Sequence, residues 1–487
     1  MNAALQKLSG AYYTPDRVVG SLVSWAVRAH SDRLLDPSCG DGRFIAAHPN
    51  SVGIEQDSAA AHKAMQAAPW ALVHEGDFFS WATATAERFE CAAGNPPFIR
   101  YQSFKGEVRQ SALGLCAEMG AKFTGLTSSW APFLVAVTRV LAPGGRMAFV
   151  VPAELGHAPY AAPVLEYLVQ HFEQVHVVAI RDKLFPELSE DCWLLYASGY
   201  GGSTSEIRLT VRDSFRPMQA PPKDFARVSV REWREVWNRR LRPYLLPLEA
   251  RELYQAAVTD PVSSRLGDCA QVGIGYVSGA NDFFHLRPSD AERWDIPNKL
   301  LLPTVRNAKA LRRKSVTAAV VESWRRADDA VLLLRLPKHG SVPAQVKRYL
   351  NSEAGRSARE AYKCRVREPW WSVPDVRTPN FFLSYMSGLT PSLVANDAAC
   401  TCTNSVHAVT TLNPAKMRKF ASQWDTPFMQ LSAELEGHPL GGGMLKLEPR
   451  EASRLLLPSP SVRTSSADAV IAEAVRQMRT WRHYVGA

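Results

Sequence analysis

Short apolar runs that end in polar or glycine-bearing turns recur along the first half of the chain: "DRLLDPSCGDG", "SVGIEQD", "ALVHEGDFF" and "RFECAAGNPPF". A Pro-Gly-Gly turn then leads into a fully apolar run, "LAPGGRMAFVVPAEL". Runs this short and apolar are expected as buried strands. Helical stretches such as "SSWAPFLVAVTRVL" lie between them. Strands alternating with helices predict an α/β fold, a mostly parallel sheet with helices on both faces. Ligands of such sheets bind beyond the carboxyl ends of the strands, and each polar cluster falls at such an end. The pattern changes near Gly199, where "GYGGSTS" reads as a loop. The expected organisation is a ligand-binding domain over 1–200, a connecting segment over 201–262 with a helix in "VREWREVWNRRLRPYLL", and a second domain of mixed α+β character over 263–487. The last segment, "SADAVIAEAVRQMRTWRHY", reads as a helix with an apolar stripe.

A length of 487 residues allows two to four domains. No run of about 18 apolar residues is present, so no membrane span is expected. The opening "MNAALQKLSGAYYTPDR" lacks a basic region followed by an apolar one, which speaks against a secretory signal and for a cytoplasmic protein. The eight cysteines are scattered, and only "CTC" is close. Reduced, buried thiols are therefore expected, and no metal site. The net charge of +10 permits a polyanionic partner without requiring one.

Candidate chemistry begins at Asp36–Gly42. Gly40 and Gly42 let the backbone turn tightly against a ligand. The stretch is not the dinucleotide fingerprint, whose second half is missing. Glu55 ends the next apolar run, 19 residues after Asp36. A carboxylate there suits the two hydroxyls of a ribose. Asp77 and Phe78 end the third run, where an acid can accept from an exocyclic amine and a ring can stack. Any one of these acids could be a solvated loop residue; three at successive strand ends argue for one pocket. The fourth end carries Asn95-Pro96-Pro97-Phe98.

Taken in order, "YYTPDRVV", "LLDPSCGDGRF", "VGIEQD", "EGDFF", "GNPPF", "GGRMAFVVP" and "KLFPELSEDCWLLYA" give a chain that resembles the gamma-class DNA amino-methyltransferases. These use S-adenosylmethionine to methylate N6 of adenine. The resemblance implies a Rossmann-like, mostly parallel seven-stranded methyltransferase sheet followed by a C-terminal target-recognition domain. It implies that Thr14, Asp36, Ser38 and Gly40 meet the methionine part of the cofactor and its turn, that Glu55 holds the ribose, and that Asp77 and Phe78 hold the adenine. Gln56 stands where an apolar residue is common in the family. The catalytic loop falls on Asn95, Pro96, Pro97 and Phe98: Asn95 and the Pro96 carbonyl accept from the target amine, and Asn95 and Pro97 also border the cofactor. Phe98 is one stacking face for the flipped base and Phe185 the other. No metal is implied.

The second half then reads as a DNA reader. Arg306, Lys309, Arg312, Arg313 and Lys314 form one basic cluster, and Lys363, Arg365 and Arg367 another. Such residues mostly meet phosphates, while any single one could be a solvated charge. Trp370 and Trp371 read more readily as core than as base-stacking groups. "LGDCAQVGIGYVSGANDFFHL" resembles the opening of the recognition region in some of these enzymes. Only about ten residues precede the "TP" motif, leaving no room for an N-terminal nuclease domain. A monomeric methylase of a bacterial or archaeal cell is expected, acting on double-stranded DNA either to protect it from a separate endonuclease or to mark it epigenetically. Rival readings keep the fold but change the acceptor to cytosine N4, RNA or a protein glutamine, or take the chain as a non-catalytic DNA-binding subunit.

Overall fold

The computed structural model describes residues 13–188, 190–440 and 442–484. Residues 1–12 of the segment read against a secretory signal lie outside them, as do Ser189 of the "KLFPELSED" motif and Gly441. The chain divides into two units between Arg251 and Glu252.

The first unit is built on one sheet. Its strands are β1 (Leu34–Asp36), β2 (Ser51–Glu55), β3 (Leu72–Glu75), β4 (Phe89–Gly94), β5 (Leu141–Pro152), β6 (Phe172–Ile180), β7 (Cys192–Tyr200), β8 (Glu206–Arg212) and β9 (Ala226–Ser229), in the spatial order β3-β2-β1-β4-β5-β7-β6-β8-β9. β3, β2, β1, β4 and β5 run parallel, and β7 lies antiparallel between β5 and β6. The expected mostly parallel sheet is therefore present as the first seven strands. β8, parallel to β6, and β9, antiparallel to β8, extend it to nine. The difference has a plain cause: residues 201–251, expected as a connecting segment, bring two short strands with buried Ile207, Leu209 and Val228 onto an open sheet edge, and they belong to the first unit.

The central strands are largely apolar because both faces are covered. All three residues of β1 and the last six of β5 are buried. α1 (Asp16–Ala26) packs on β4 and β5 with Val18, Val19, Leu22 and Val23 inward. α2 (Arg43–Ala46), α3 (Ser58–Ala67), α4 (Phe78–Ala84), α5 (Gly106–Glu118) and α6 (Trp130–Val137) follow in chain order. All eight residues of α6 are buried, as expected of a helix that is apolar all round. β4 carries Ala92, Ala93 and Gly94 at the sheet centre. A Cβ on Gly94 would stand 2.7 Å from Asp36 Oδ1 and 3.2 Å from the Phe149 ring, so only glycine lets β4 pass beside β1 at that level.

In the second unit a five-stranded sheet orders Ala270–Ile274, Val406–Thr411, Phe381–Ser384, Leu393–Asn396 and Ser315–Val316. A four-stranded sheet orders His285–Leu286, Leu332–Leu334, Leu301–Val305 and Thr401–Cys402. Trp370 and Trp371 pack against the core around Phe283, Phe284 and Tyr349, in line with their reading as core. The C-terminal helix spans Ser465–Trp481 and buries Ile471, Ala474, Val475 and Met478. All eight cysteines are free and buried. No helix among the described residues is long and apolar enough to cross a membrane.

Candidate active site

Four strand ends converge on one cavity of about 410 Å³. Its lining includes Ser38 and Gly40 after β1, Glu55 and Gln56 at the end of β2, Asp77 and Phe78 after β3, and Asn95 and Pro97 after β4. A narrow extension is lined by Thr14, Asp36, Ser38, Gly40 and Asn95. Every residue expected at the cofactor thus borders one of two adjoining spaces. The volume is that of an ordinary small-molecule site.

The turn after β1 is shaped by its glycines. Gly42 has φ +88°, and a Cβ there would lie 2.8 Å from the Ala64 backbone. The Gly40 N–H donates to Glu55 Oε2 at 2.8 Å, and the Asp57 N–H to Glu55 Oε1 at 2.8 Å. These bonds fix the carboxylate at the rim of the cavity and leave it lone pairs for further donors. Arg43 draws Thr14 onto the turn: its guanidinium pairs with Asp41 at 2.9 Å, donates to the Thr14 carbonyl at 3.2 Å and lies over the Tyr13 ring.

Asp36 is only 1% exposed. Burial, with Glu55 and Asp41 nearby, raises its pKa to about 8, although the Ser38 N–H at 3.1 Å works the other way. Asp77 caps α4, with Oδ2 accepting from Ser80 N and Oγ. Phe78 is buried, and one face is already stacked on Phe133, 5.4 Å between centroids at 13°. Phe133 itself lines the cavity, as do Tyr13, Ile54 and Ile99, none of which was singled out from the sequence. An apolar residue lining a cavity and one packed in a core carry the same periodicity.

Phe98 is half-buried against the core cluster that holds Leu184, Phe185 and Leu188. Phe185 is 1% exposed, so the open stacking face expected of it is covered here.

The cations of the second unit divide. Lys309, Arg312, Arg313, Lys314, Lys363 and Arg365 are exposed. Arg306 lies 3.4 Å from Asp282 and borders a cavity of about 320 Å³ with Asn307, Lys309 and Trp324. Arg367, expected on DNA, instead donates to the carbonyls of Ser278 and Val277 at 2.6 and 2.7 Å and is partly desolvated.

Comparison with known proteins adds four findings. The family model described as "Type II methyltransferase M.Eco57I, C-terminal domain" matches residues 238–485. Type II methyltransferase M.XamI of Xanthomonas campestris pv. amaranthicola is 24% identical over 476 residues, covering 93% of this chain and 85% of that protein. The tRNA1(Val) (adenine(37)-N6)-methyltransferase of Musicola paradisiaca is 28% identical over 151 residues, 28% of this chain and 56% of that one. Among solved structures, the Type IIL restriction-modification enzyme MmeI in complex with DNA shares the fold with a TM-score of 0.51 at 10% identity, covering 94% of this chain and 71% of that one.

Proposed function

The chain belongs to the type II methyltransferase family represented by the M.Eco57I C-terminal domain, and from that premise we propose that it methylates N6 of an adenine flipped out of duplex DNA. The methyl donor in this reading is S-adenosylmethionine, and the protein is the modification component of a restriction-modification system. The observation that carries the reading is the single cavity bordered by Ser38, Gly40, Glu55, Asp77, Asn95 and Pro97 at four strand ends.

The residues fit that donor. Glu55 offers acceptors to a ribose, and Asp77 an acceptor to an exocyclic amine. Ile54, Phe78, Ile99 and Phe133 supply apolar walls for a purine. Asp36, Glu55 and Asp41 bring three carboxyl groups together, and a ligand bearing an ammonium and a sulfonium would favour their ionised forms. Bound there, S-adenosylmethionine supplies a methyl group carried on a positively charged sulfur, a strong electrophile.

The protein's own part is to bind and orient. An adenine amine is a weak nucleophile because its lone pair is delocalised into the ring. Acceptance of its two N–H bonds by the Asn95 side-chain carbonyl and the Pro96 carbonyl draws electron density back to nitrogen. Pro96 and Pro97 fix the backbone and offer no competing N–H. Phe98 gives the base a stacking face, and Phe185 a second once the contact between this loop and the core opens. After transfer the surplus proton on N6 passes to solvent. Extrusion of the base costs a few kcal/mol, met by contacts from the exposed cations Lys309, Arg312, Arg313, Lys363 and Arg365. The match over 151 residues to a protein named as an adenine-N6 methyltransferase supports adenine as acceptor.

The test is direct. The protein is incubated with duplex DNA and S-adenosylmethionine tritiated in the methyl group, and the DNA is digested to nucleosides. Label on N6-methyladenine is expected; label confined to cytosine, RNA or protein would refute the reading.

A further inference from the structure

The proposed catalytic loop does not hold its shape alone. Ser129, at the start of α6 and 0% exposed, meets it at three points. Its hydroxyl donates to the Pro97 carbonyl and accepts from the Ile99 N–H at 2.9 Å. Its own N–H donates to the Ile99 carbonyl at 3.0 Å. Pro97 and Ile99 flank Phe98, so one side chain and its amide satisfy the backbone on both sides of the stacking residue. Further along, Arg109 of α5 donates to the carbonyls of Tyr101, Phe104 and Gly125. The loop is thereby tied to the 124–129 segment at both ends.

From this geometry we infer that Ser129 is a positioning residue: its hydroxyl sets the register of Asn95–Phe98 against the reacting nitrogen. The inference rests on the function proposed above for that loop. The physical reason is the proline pair. Pro96 and Pro97 fix φ but bring no N–H, so the loop cannot brace itself through amide hydrogen bonds at those positions. A buried hydroxyl can both donate and accept, and here it does both within one short turn. An alanine would leave the Pro97 carbonyl and the Ile99 N–H without that partner, so the loop would lose its side-chain anchor beside Phe98 while the strands carrying Asp36 and Glu55 stay as they are. A misplacement of about 1 Å at reacting atoms can cost on the order of 10²-fold in rate.

The experiment compares wild type, Ser129→Ala and Ser129→Thr on unmethylated genomic duplex DNA, scoring whichever nucleoside the wild-type protein labels. A wrong acceptor would then refute the proposed function without touching the role of Ser129. Ser129→Ala should lower kcat by roughly 10²-fold with the Kd for S-adenosylmethionine within about threefold of wild type. Ser129→Thr, which keeps the hydroxyl, should recover at least about tenfold of that loss. A Ser129→Ala enzyme with wild-type kcat, or one whose cofactor affinity falls in step with its turnover, would overturn the inference. Hydrogen exchange on the wild-type protein tests it independently of activity and of any variant's folding. The Ile99 amide should be protected as a bonded group is, and exchange there as fast as in an exposed loop would overturn it as well.

Discussion

Asp36 is almost fully buried with Glu55 and Asp41 as electrostatic neighbours, and its pKa of about 8 keeps most of it protonated at neutral pH. In the unfolded chain the same group ionises near the ordinary aspartate value of 3.8. Between those two values the folded state holds a proton that the unfolded state has lost. This group therefore costs nothing below about pH 4, costs progressively more as pH rises towards 8, and adds a constant penalty above that. The ligand-free protein should accordingly show a Tm that falls between about pH 5 and 8, and Asp36→Asn should flatten that slope in a thermal melt. Binding of a cationic ligand favours the ionised form. Affinity for S-adenosylmethionine should then rise over the same interval, with proton release visible by calorimetry in buffers of different ionisation enthalpy. Asn95 is expected to behave in the opposite way. Asn95→Ala should lower turnover by roughly 10²-fold or more and leave cofactor affinity within about threefold, because its proposed task is the target amine. Equal losses in both would contradict that division of labour.

At the scale of the element, the short helix Tyr362–Arg365 separates two kinds of arginine that read alike in "YKCRVREPWW". Cys364 is fully buried with its Sγ 3.8 Å from the Ser278 carbonyl, and Arg367 grips the carbonyls of Val277 and Ser278. Lys363 and Arg365 point outward. Arg367→Ala removes two charge-assisted bonds, to the carbonyls of half-buried Val277 and buried Ser278, and should lower stability by about 1–3 kcal/mol, read as a drop in Tm. Arg365→Ala should leave Tm unchanged and weaken DNA binding in fluorescence anisotropy. The same contrast explains what the sequence disclosed. The polar residues at strand ends were legible because a βα turn places them by topology, so Asp36, Glu55, Asp77 and Asn95 could be named and meet at one site. Phe133 and Ile99 were not, since facing a cavity and facing a core give one periodicity. Ser129 was hidden because a single serine before a helix reads as a cap, and its actual partners lie some thirty positions earlier in the chain. The direction taken by Arg367 was equally hidden, because a cation that binds carbonyls and one that binds phosphate share one letter.

Across the whole molecule, charge has opposite tasks in the two units. In the proposed function the carboxyl groups of the first unit's cavity serve a cationic cofactor, while the chain as a whole carries 57 Lys and Arg against 47 Asp and Glu. The exposed cations Lys309, Arg312, Arg313, Lys363 and Arg365 are the proposed phosphate contacts of the second unit. Each phosphate neutralised releases condensed counterions, which lowers the slope of log K against log salt by about 0.9 on duplex DNA. If all five meet phosphates, the slope should be about −4.5, or a loss of roughly 500-fold in affinity between about 50 and 200 mM salt. Each alanine substitution among the five should make the slope shallower by about 0.9 and weaken binding to all sequences alike. Arg367→Ala should leave the slope unchanged, because its guanidinium is engaged within the unit. Affinity for S-adenosylmethionine, held in a cavity rather than along a polyanion, should vary far less with salt. A slope shallower than about −2 for the wild-type protein would mean that most of these five cations do not meet phosphates, and the DNA surface would have to be sought elsewhere on the second unit.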